Sequence, residues 1–425
     1  MIMSVSPSSP KGSIRAIASK SVAHRLLICA AFGDKNVKIN CPKTNNDIEA
    51  TAACLSALGA KISRANSFYE VEPISINSVN KNALLPCGES GSTLRFLIPV
   101  VAALGADSSF LMEGRLPQRP LSPLREELEA HGISFSYPQD NILKMEGQLL
   151  GNRFSIDGGI SSQFISGLLF AMSLMTQSAT LSVTGKIGSA PYIDITQDAL
   201  ALFGVNTEKN GNVYSVSENS RFVSPDYIDV EGDWSNAAFP LCMGILSKDS
   251  ISVSGLNCNS SQGDSKIIDI IHRFGGKVTP FPSGDGYVAT GSTICGCDID
   301  AENIPDLVPI LSVLASVADG KTTIYGASRL KLKESDRLQT VCDMLSALGA
   351  DIKQTDDGLI INGRPSLAGG RVSSYNDHRI AMSAAVAACV CSAPVIIEGA
   401  EAVEKSYPSF WEDMRSLGVV CEPLA

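Results

Sequence analysis

Cations, carboxylates and hydroxyls gather where the sequence predicts that apolar helices begin. A helix N-terminus attracts anions, because its first N–H groups are free and the helix dipole is positive there. A cation at the same place opposes the dipole, so a capping role explains Lys20, Arg25 and Arg379 poorly. These residue types together predict a pocket for anionic small molecules, with carboxylates and lysine available for acid–base chemistry. The side chains at the predicted helix starts are Lys20, Ser21, Arg25, Ser92, Thr93, Arg95, Ser161, Ser162, Gln163, Asp306, Asp377, His378 and Arg379.

Residues 85–95 carry this pattern in its densest form. They read Leu-Pro-Cys-Gly-Glu-Ser-Gly-Ser-Thr-Leu-Arg and run into the apolar stretch 96–104. Glycines, hydroxyls and an arginine before a buried helix can form a seat for an anion. A plain loop with a capping serine explains the same residues. A helix cap is likewise a sufficient interpretation of Ser92, Ser161 and Asp306, each taken alone.

Three further basic stretches fit the same pocket. Residues 115–120 form a loop stiffened by two prolines, from which Arg119 could bind a carboxylate or phosphate through two parallel hydrogen bonds. Residues 331–337 combine three cations with two acids, although such a run is also typical of a solvated helix start. Lys405 precedes the sixth predicted amphipathic helix.

The elements that would position these residues repeat along the chain. A helix-like stretch, a glycine and a β-branched stretch recur in the same order. Glycine suits this place because the residue that ends a helix adopts a left-handed conformation. The spacings of 73, 72, 71, 74 and 69 residues are too regular for chance. The six glycines are Gly59, Gly132, Gly204, Gly275, Gly349 and Gly418.

The helix starts form a second series that interleaves with the glycines, at positions 21, 93, 162, 235, 306 and 378. Each repeat therefore holds two helices, one apolar nearly all round and buried, the other amphipathic and half-exposed. Two short strands joined by a turn follow the glycine, as in 205–216 and 352–361. A further strand leads into the next repeat. Six such units predict an α/β protein.

The last repeat is incomplete, because only residues 419–425 follow Gly418. Residues 3–5 and 13–17 are strand-like, so we expect the N-terminal segment to complete the sixth unit. Three units per domain then give one discontinuous domain, residues 1–18 with 233–425, and one continuous domain, residues 19–232. Two crossovers permit hinge motion, and we expect the active site in a cleft between the domains.

Composition excludes several classes of protein. The 425 residues are 44% hydrophobic and 18% charged, which is ordinary for a soluble globular chain. A net charge of −10 without a long basic run argues against a nucleic-acid partner. No membrane partner is expected, since the longest apolar run, 381–397, contains Pro394 and is short for a span. Residues 1–20 lack the apolar region of a signal peptide, so a cytoplasmic protein is predicted.

Neither cysteines nor histidines are spaced as metal ligands. The twelve cysteines include no Cys-x-x-Cys pair, and the four histidines are far apart in the sequence. We expect reduced thiols in the core of a cytosolic protein. Dinucleotide-binding, Walker and Gly-x-Ser-x-Gly motifs are missing from the sequence, so neither nucleotide use nor a serine nucleophile is indicated.

Nine motifs from end to end of the chain resemble those of the 5-enolpyruvylshikimate-3-phosphate (EPSP) synthase family. They are residues 19–21 with His24 and Arg25, 88–95, 115–120, 161–164, 189–194, 231–233, 304–306, 332–338 and 376–379. The resemblance implies a two-domain inside-out α/β fold of six βαβαββ units of about 71 residues, three per domain. It implies enolpyruvyl transfer from phosphoenolpyruvate to the 5-hydroxyl of shikimate 3-phosphate, with release of phosphate, on the pathway to chorismate and aromatic amino acids. It implies neither metal nor organic cofactor, and we expect a monomer.

The resemblance also assigns roles to residues by motif. Asp306 would remove the proton of the 5-hydroxyl, while Glu334 and Lys20 would move protons to and from the methylene carbon. Arg25 would bind the ring carboxylate. The shikimate 3-phosphate and acid–base set is Lys20, Ser21, Arg25, Ser161, Ser162, Gln163, Ser189, Tyr192, Asp306 and Lys333. The phosphoenolpyruvate set is Lys20, Gly91, Arg119, Gln163, Arg337, Arg379 and Lys405.

Some positions depart from the family pattern. Glu89 stands where many members have Asn, and Phe96 stands where many have Pro. Both adjoin the expected phosphoenolpyruvate seat, which is the target of the inhibitor glyphosate. Arg329 stands where some relatives have Asn, and the usual proline before Ser19 is missing from the sequence.

Two rival interpretations predict other residues. The sister enzyme that transfers enolpyruvyl to UDP-N-acetylglucosamine usually has Lys-Asn in place of Lys20–Ser21, and a reactive cysteine in the loop at 115–120. A repeat scaffold around nucleic acid would carry basic residues along its exposed faces. The sequence has neither the Lys-Asn pair nor the loop cysteine, and its basic residues gather at the predicted helix starts beside acids.

Overall fold

The computed structural model of the chain describes residues 1–75 and 78–424. Ala425, with which the last predicted strand ends, lies outside the described residues. The α-helices in chain order are α1 (Lys20–Ala31), α2 (Asn46–Leu58), α3 (Gly91–Leu104), α4 (Leu124–Ala130), α5 (Ser162–Ser173), α6 (Pro191–Leu202), α7 (Trp234–Leu246), α8 (Ile267–Arg273), α9 (Val308–Val317), α10 (Arg337–Ala347), α11 (His378–Ala387) and α12 (Phe410–Ser416).

The strands alternate with these helices in a regular order. They are β1 (Ile2–Val5), β2 (Gly12–Arg15), β3 (Val37–Asn40), β4 (Lys61–Ala65), β5 (Phe68–Glu72), β6 (Leu84–Gly88), β7 (Ser108–Met112), β8 (Ile133–Gln139), β9 (Ile142–Gly147), β10 (Arg153–Asp157), β11 (Ala179–Thr184), β12 (Thr207–Asn210), β13 (Val213–Val216), β14 (Tyr227–Asp229), β15 (Ser250–Ser254), β16 (Lys277–Pro280), β17 (Gly286–Thr290), β18 (Asp298–Asp300), β19 (Lys321–Tyr325), β20 (Asp351–Gln354), β21 (Leu359–Asn362), β22 (Gly370–Ser373), β23 (Val395–Glu398) and β24 (Cys421–Leu424).

Within the described residues, the strands pair into six four-stranded sheets of one pattern. In five of the sheets two parallel strands are joined to an antiparallel hairpin, as in the order β6-β7-β9-β8. In the sixth sheet the antiparallel pair that takes the place of the hairpin is β1 with β24. Parallel neighbours need a crossover connection, which α3 supplies between β6 and β7. The next helix, α4, leads into the hairpin of β8 and β9. This arrangement confirms the α/β fold class that the repeat predicts.

The chain divides into a continuous unit, Ala18–Val230, and a discontinuous unit, Met1–Ile17 with Glu231–Ala425. Strands near the two crossovers pair out of chain order. β2 precedes α1 but pairs in parallel with β15, and β14 precedes α7 but pairs in parallel with β3. β1 lies between β23 and β24 and is antiparallel to both. The N-terminal strand therefore completes the last sheet, as the truncated sixth repeat predicts.

The six repeat glycines all have positive φ, from 77° at Gly204 to 122° at Gly59. Gly59 is the C-cap of α2, and its N–H donates to the carbonyl groups of Leu55 and Ser56. A residue with a Cβ would be strained at such φ values, which explains why the repeat keeps glycine there.

Each unit has its own hydrophobic core. In the continuous unit, Gly167 of α5 packs against α3, where an added Cβ would lie 2.4 Å from the carbonyl oxygen of Arg95. The missing side chain lets the two helices run close together. This contact brings the first turn of α5 to the first turn of α3, where site residues were predicted.

Two helix starts differ from the sequence-based interpretation. The N-cap of α3 is Ser90, so Ser92 lies inside the first turn instead of capping it. Asp306 lies in a 3-10 turn, Pro305–Leu307, and α9 begins only at Val308. Capping therefore does not account for Ser92 or Asp306, although Ser161 does cap α5.

Candidate active site

The predicted site residues fall into one group in each unit. The group of the continuous unit is Lys20, Ser21, Arg25, Gly91, Arg119, Ser161, Ser162, Gln163, Ser189 and Tyr192. The group of the discontinuous unit is Asp306, Lys333, Glu334, Arg337, Arg379 and Lys405.

Lys20 opens α1 and forms an ion pair with α2. Its Nζ lies 2.8 Å from Oδ2 of Asp47, and 18% of each side chain is exposed. Ser19 caps the helix, its hydroxyl accepting a hydrogen bond from the N–H of Val22 at 3.4 Å. The ammonium group is thus held at a helix start, where it can bind an anion and exchange a proton.

Arg25 lies one turn further along α1 and is 2% exposed. Its Nε donates to the hydroxyl of Thr196 at 2.7 Å, and its Nη1 donates to the carbonyl of Ser21 at 2.6 Å. Its Nη2 donates to the carbonyl of Tyr192 at 2.8 Å and to the hydroxyl of Ser166 at 3.4 Å. Burial lowers the pKa of the guanidinium to about 9. All four acceptors are neutral groups.

A chain of buried polar groups links the starts of α1, α2 and α3. Nδ1 of His24 lies 2.6 Å from the hydroxyl of Thr51, which lies 2.7 Å from the hydroxyl of Thr93. Thr93 in turn donates to the capping hydroxyl of Ser90 at 2.7 Å. Burial, followed by the charges of Lys20 and Arg25, holds the pKa of His24 well below 6.5. The imidazole is therefore neutral and acts as a fixed link between helices.

Gly91 is the first residue of α3 and leaves room for a cation. A Cβ at this position would lie 2.5 Å from Nη1 of Arg119. The half-buried guanidinium thus packs directly against the backbone at a helix N-terminus. Backbone N–H groups, dipole and guanidinium together suit a phosphate or carboxylate.

Arg95 connects α3 to α5 and to the loop that carries Arg119. Its Nη1 donates to Oε1 of Gln163 at 2.8 Å, and its Nη2 donates to the carbonyl of Pro120 at 3.0 Å. Nε2 of Gln163 then donates to the hydroxyl of Ser92 at 2.9 Å. Gln163 is thereby fixed in orientation, and Arg95 holds the backbone next to Arg119.

Hydroxyl groups line the start of α5. Ser161 accepts from the N–H of Gln163 at 3.3 Å, and Ser162 is 6% exposed. Ser189 has a φ of 56°, in the left-handed region, just before α6. Such strain at a serine is typical of functional positions. These groups suit an anion that accepts several hydrogen bonds.

In the discontinuous unit, Arg337 joins three carboxylates while being 1% exposed. Its Nη1 donates to Oδ1 of Asp306 at 2.8 Å, and its Nη2 donates to Oε2 of Glu334 at 2.7 Å. Its Nε donates to Oδ2 of Asp377 at 2.8 Å. Residues 331–337 are therefore not a solvated helix start, because their last cation is buried among acids.

Asp306 faces three cations. Besides Arg337, Nη2 of Arg379 lies 3.0 Å from its Oδ2, and Nζ of Lys333 lies 3.5 Å from its Oδ1. Burial by itself would raise the pKa of this carboxyl. The charges of Arg379, Lys333 and Arg337 outweigh burial and hold the pKa well below 3.8.

Asp264 is another buried carboxyl of this unit, 2% exposed, which the sequence did not single out. The hydroxyl of Ser235 at the start of α7 donates to its Oδ2. Burial first, and then the negative charge of Asp306, raise the pKa of Asp264 to about 7. Asp306 thus ionises readily, while Asp264 holds its proton to near-neutral pH.

Lys405 and Arg379 flank the start of α11. Nζ of Lys405 donates to the carbonyl of Asn376 at 2.9 Å. Asn376 has a φ of 57°, and Asp377 caps the helix by accepting from the N–H of Arg379 at 3.0 Å. The turn therefore fixes a lysine and an arginine beside one helix N-terminus.

The described residues show neither a metal centre nor a membrane-spanning helix. They contain no group of three or more His, Cys, Asp or Glu side chains that could hold a metal ion. Among the described helices, none combines the length and apolar character needed to span a membrane.

A sequence model of the family described as EPSP synthase (3-phosphoshikimate 1-carboxyvinyltransferase) matches residues 6–414. The chain belongs to the EPSP synthase family. Relatives named 3-phosphoshikimate 1-carboxyvinyltransferase include one from Clostridium perfringens, 39% identical over 97% of both chains. Another, from Clostridium beijerinckii, is 40% identical over 98% of both chains.

Solved structures show the same fold. An EPSP synthase from Acinetobacter baumannii aligns with a TM-score of 0.82 at 25% identity, over 99% of this chain and 100% of that one. The enolpyruvyl transferase NikO from Streptomyces tendae aligns with a TM-score of 0.78 over 99% and 98% of the two chains. At 15% identity, the likeness to NikO shows the fold alone.

Membership in the EPSP synthase family confirms the reaction that the motifs predict. The chain is a transferase that moves the enolpyruvyl group of phosphoenolpyruvate to shikimate 3-phosphate, on the shikimate pathway to the aromatic amino acids.

Several residues that organise the site were not in the predicted set. The sequence marks Asp377 only as part of a helix start, yet it is the buried partner of Arg337. Asp47 and Thr51 lie on the amphipathic helix α2, whose pattern indicated only a solvent-facing element. Their link to α1 and α3 has no local signal, because a polar residue on such a helix is usually exposed.

Proposed function

We propose that this EPSP synthase family member uses Asp306 as the base for the 5-hydroxyl of shikimate 3-phosphate. Glu334 and Lys20 exchange protons with the methylene carbon of phosphoenolpyruvate. The observation that carries this proposal is the carboxylate of Asp306 held in contact with three cations. Such a cluster can bind an anionic substrate and position a base beside it.

Shikimate 3-phosphate is assigned mainly to residues of the continuous unit. The hydroxyls of Ser161 and Ser162 at the positive end of α5 suit a dianionic phosphate. The guanidinium of Arg25 suits the ring carboxylate, because its described partners leave its positive charge uncompensated. The other members of the proposed set are Lys20, Ser21, Gln163, Ser189, Tyr192, Asp306 and Lys333.

Phosphoenolpyruvate is assigned to cations from both units. The contact of Arg119 with Gly91 supports an anion seat at the start of α3. Arg379 and Lys405 beside the start of α11 supply further positive charge. The other members of the proposed set are Lys20, Gln163 and Arg337.

The reaction then proceeds by addition and elimination. Asp306 takes the proton of the 5-hydroxyl, the oxygen bonds to C2 of phosphoenolpyruvate, and the methylene carbon receives a proton from the Glu334 and Lys20 pair. In the second step the new methyl group returns a proton to that pair. The electrons of the broken carbon–hydrogen bond form the carbon–carbon double bond, and the C2–oxygen bond to phosphate breaks. Phosphate leaves with the electron pair of that bond.

The charges around Asp306 make its basicity depend on whether substrate is bound. With three cations in contact, the carboxylate is a weak base. Phosphoenolpyruvate that binds Arg379 would draw this cation away from Asp306, and a shikimate 3-phosphate anion that binds Lys333 would do the same, so that Asp306 becomes more basic. The base is therefore strongest when substrate is present, and exclusion of water would strengthen each of these interactions.

Each unit carries one part of the proposed set. We propose that residues 19–232 and residues 1–18 with 233–425 act as two domains that both contribute residues to one active site. A monomer then suffices, and we place the enzyme in the cytoplasm, where phosphoenolpyruvate is available.

Phosphate release tests the proposal. The purified chain is mixed with phosphoenolpyruvate and shikimate 3-phosphate, and in a parallel reaction with UDP-N-acetylglucosamine as the acceptor. Release is expected only with shikimate 3-phosphate. Absence of release with this acceptor would overturn the proposed reaction, and release only with UDP-N-acetylglucosamine would assign the sister activity.

A further inference from the structure

Arg25 is a buried cation with no described anionic partner. It is 2% exposed, and its contacts within the described residues are two hydroxyls and two backbone carbonyls. A buried charge that is not paired destabilises a fold strongly. Something else must therefore favour the charged form of Arg25 until a substrate anion arrives.

Phe96 of α3 supplies the missing contact. Cζ of Arg25 lies 4.8 Å from the centroid of its ring, and Phe96 is 1% exposed. The negative face of an aromatic ring attracts a cation, and this attraction grows when water is excluded.

Two further rings hold Phe96 in place. Phe170 of α5 packs at 5.8 Å between centroids with an interplanar angle of 68°, and His24 packs at 6.3 Å with an angle of 82°. These edge-to-face contacts restrict the rotation of Phe96. The ring is therefore a fixed platform for the guanidinium plane.

The hydrogen bonds of Arg25 leave one donor over. A guanidinium has five N–H groups, and four hydrogen bonds from Arg25 are described, one from Nε, one from Nη1 and two from Nη2. One hydrogen on Nη1 remains for a ligand. A carboxylate there would supply both the acceptor and the compensating charge.

We propose that Phe96 positions Arg25 for the ring carboxylate of shikimate 3-phosphate, its π face standing in for a counter-ion until that carboxylate binds. This inference rests on the proposed function, because it needs Arg25 to contact that substrate. It makes Phe96 a positioning residue that selects an ionised carboxylate over a neutral group. A residue that only filled the core would have no such selectivity.

The test compares two ligands and two phenylalanines. Binding of shikimate 3-phosphate and of its ring-carboxamide analogue is measured by calorimetry on the parent, on Phe96→Leu and on Phe110→Leu. Phe110 is a matched control, since it is fully buried in the core of the same unit. We expect Phe96→Leu to weaken the binding of shikimate 3-phosphate about tenfold and the binding of the carboxamide analogue less than about twofold. Phe110→Leu should leave the ratio of the two affinities as in the parent.

Steady-state kinetics give the second readout. Phe96→Leu should raise KM for shikimate 3-phosphate, while kcat and KM for phosphoenolpyruvate stay within about twofold of the parent. Phe96→Met serves the same test if Phe96→Leu does not fold, because a flexible thioether adapts to irregular gaps. Equal losses for acid and amide, or no loss, would overturn the role of Phe96 alone. A parent that releases no phosphate would overturn the proposed function, and this role with it.

Discussion

Arg337 and Asp377 form an ion pair that is almost completely buried. Nε of Arg337 lies 2.8 Å from Oδ2 of Asp377, and Nη2 lies 3.2 Å from Oδ1. Only 1% and 0% of the two side chains are exposed. The same guanidinium also contacts Asp306 and Glu334, the two carboxylates proposed for acid–base chemistry. Asp377 thus anchors the residue that holds both of them in place.

Asp377→Ala should reduce stability strongly. It removes the carboxylate that faces a buried guanidinium, and it also removes the N-cap of α11. We expect the free energy of unfolding to fall by about 3–5 kcal/mol, measured by urea unfolding at pH 7. Asp336→Ala, which removes the N-cap of α10, is the control and should cost about 1 kcal/mol. Equal losses in the two variants would contradict an anchoring role.

Asp306→Asn and Glu334→Gln should separate chemistry from binding. Both replacements keep the shape of the side chain and remove the ability to carry a proton. We expect kcat to fall by about 10²- to 10⁴-fold, while the dissociation constants of both substrates change far less. Asp298→Asn, an exposed aspartate on β18, is the control and should leave kcat unchanged. Turnover near that of the parent would exclude the proposed roles.

Gly91→Ala should displace Arg119, because the new Cβ would lie 2.5 Å from its Nη1. We expect KM for phosphoenolpyruvate to rise by about 10- to 100-fold, with the affinity for shikimate 3-phosphate near that of the parent. A double-mutant cycle with Arg119→Lys identifies the cause. The effect of the alanine should be smaller when the guanidinium is already gone. Additive effects would show that the clash is not responsible.

Asp264 should make stability depend on pH near neutrality. Its pKa is raised to about 7 in the folded protein, so the folded state binds a proton more tightly than the unfolded state does. The stability from this proton is complete below about pH 4 and is lost as pH rises through 7. As pH rises through this window, the free energy of unfolding of Asp264→Asn should therefore increase relative to that of the parent, by up to about 1.4 kcal/mol per pH unit. Urea unfolding at pH 5 and pH 7.5 measures the gain. A constant difference would rule out the raised pKa, and Asp298→Asn is the control.

Periodicity made the fold class predictable and indicated the candidate site residues. The repeat glycines mark helix ends because positive φ leaves little choice of residue, and the paired spacing of helix starts locates the charged and hydroxyl side chains that are proposed to bind anions. The charge pattern alone could not predict whether Arg337 is exposed to solvent or buried. The run at 331–337 is compatible with a solvated helix start or with a buried network, and its decisive partner, Asp377, lies 40 residues away. Only the packing of α10 against α11 selects the buried network.

The position of the helix cap could not be predicted for a related reason. Ser90 and Ser92 are both serines and lie only two positions apart, so the sequence does not show which of them caps α3. Ser90 is the cap because of where the chain leaves β6. The contact between Phe96 and Arg25 was likewise beyond local patterns, because a phenylalanine in an apolar helix carries the same signal whether or not a cation packs on its face.

The place of β1 between β23 and β24 sets an order for folding on the ribosome. The continuous unit has all its strands once β14 has been synthesised, so it can fold while the remaining chain is still being made. β1 is made first, but both of its neighbours are made last. At ordinary rates of translation it waits on the order of 20–80 s. A strand of only four residues is a poor template for aggregation during that wait, so a nascent chain can hold one finished unit and one open sheet at little risk.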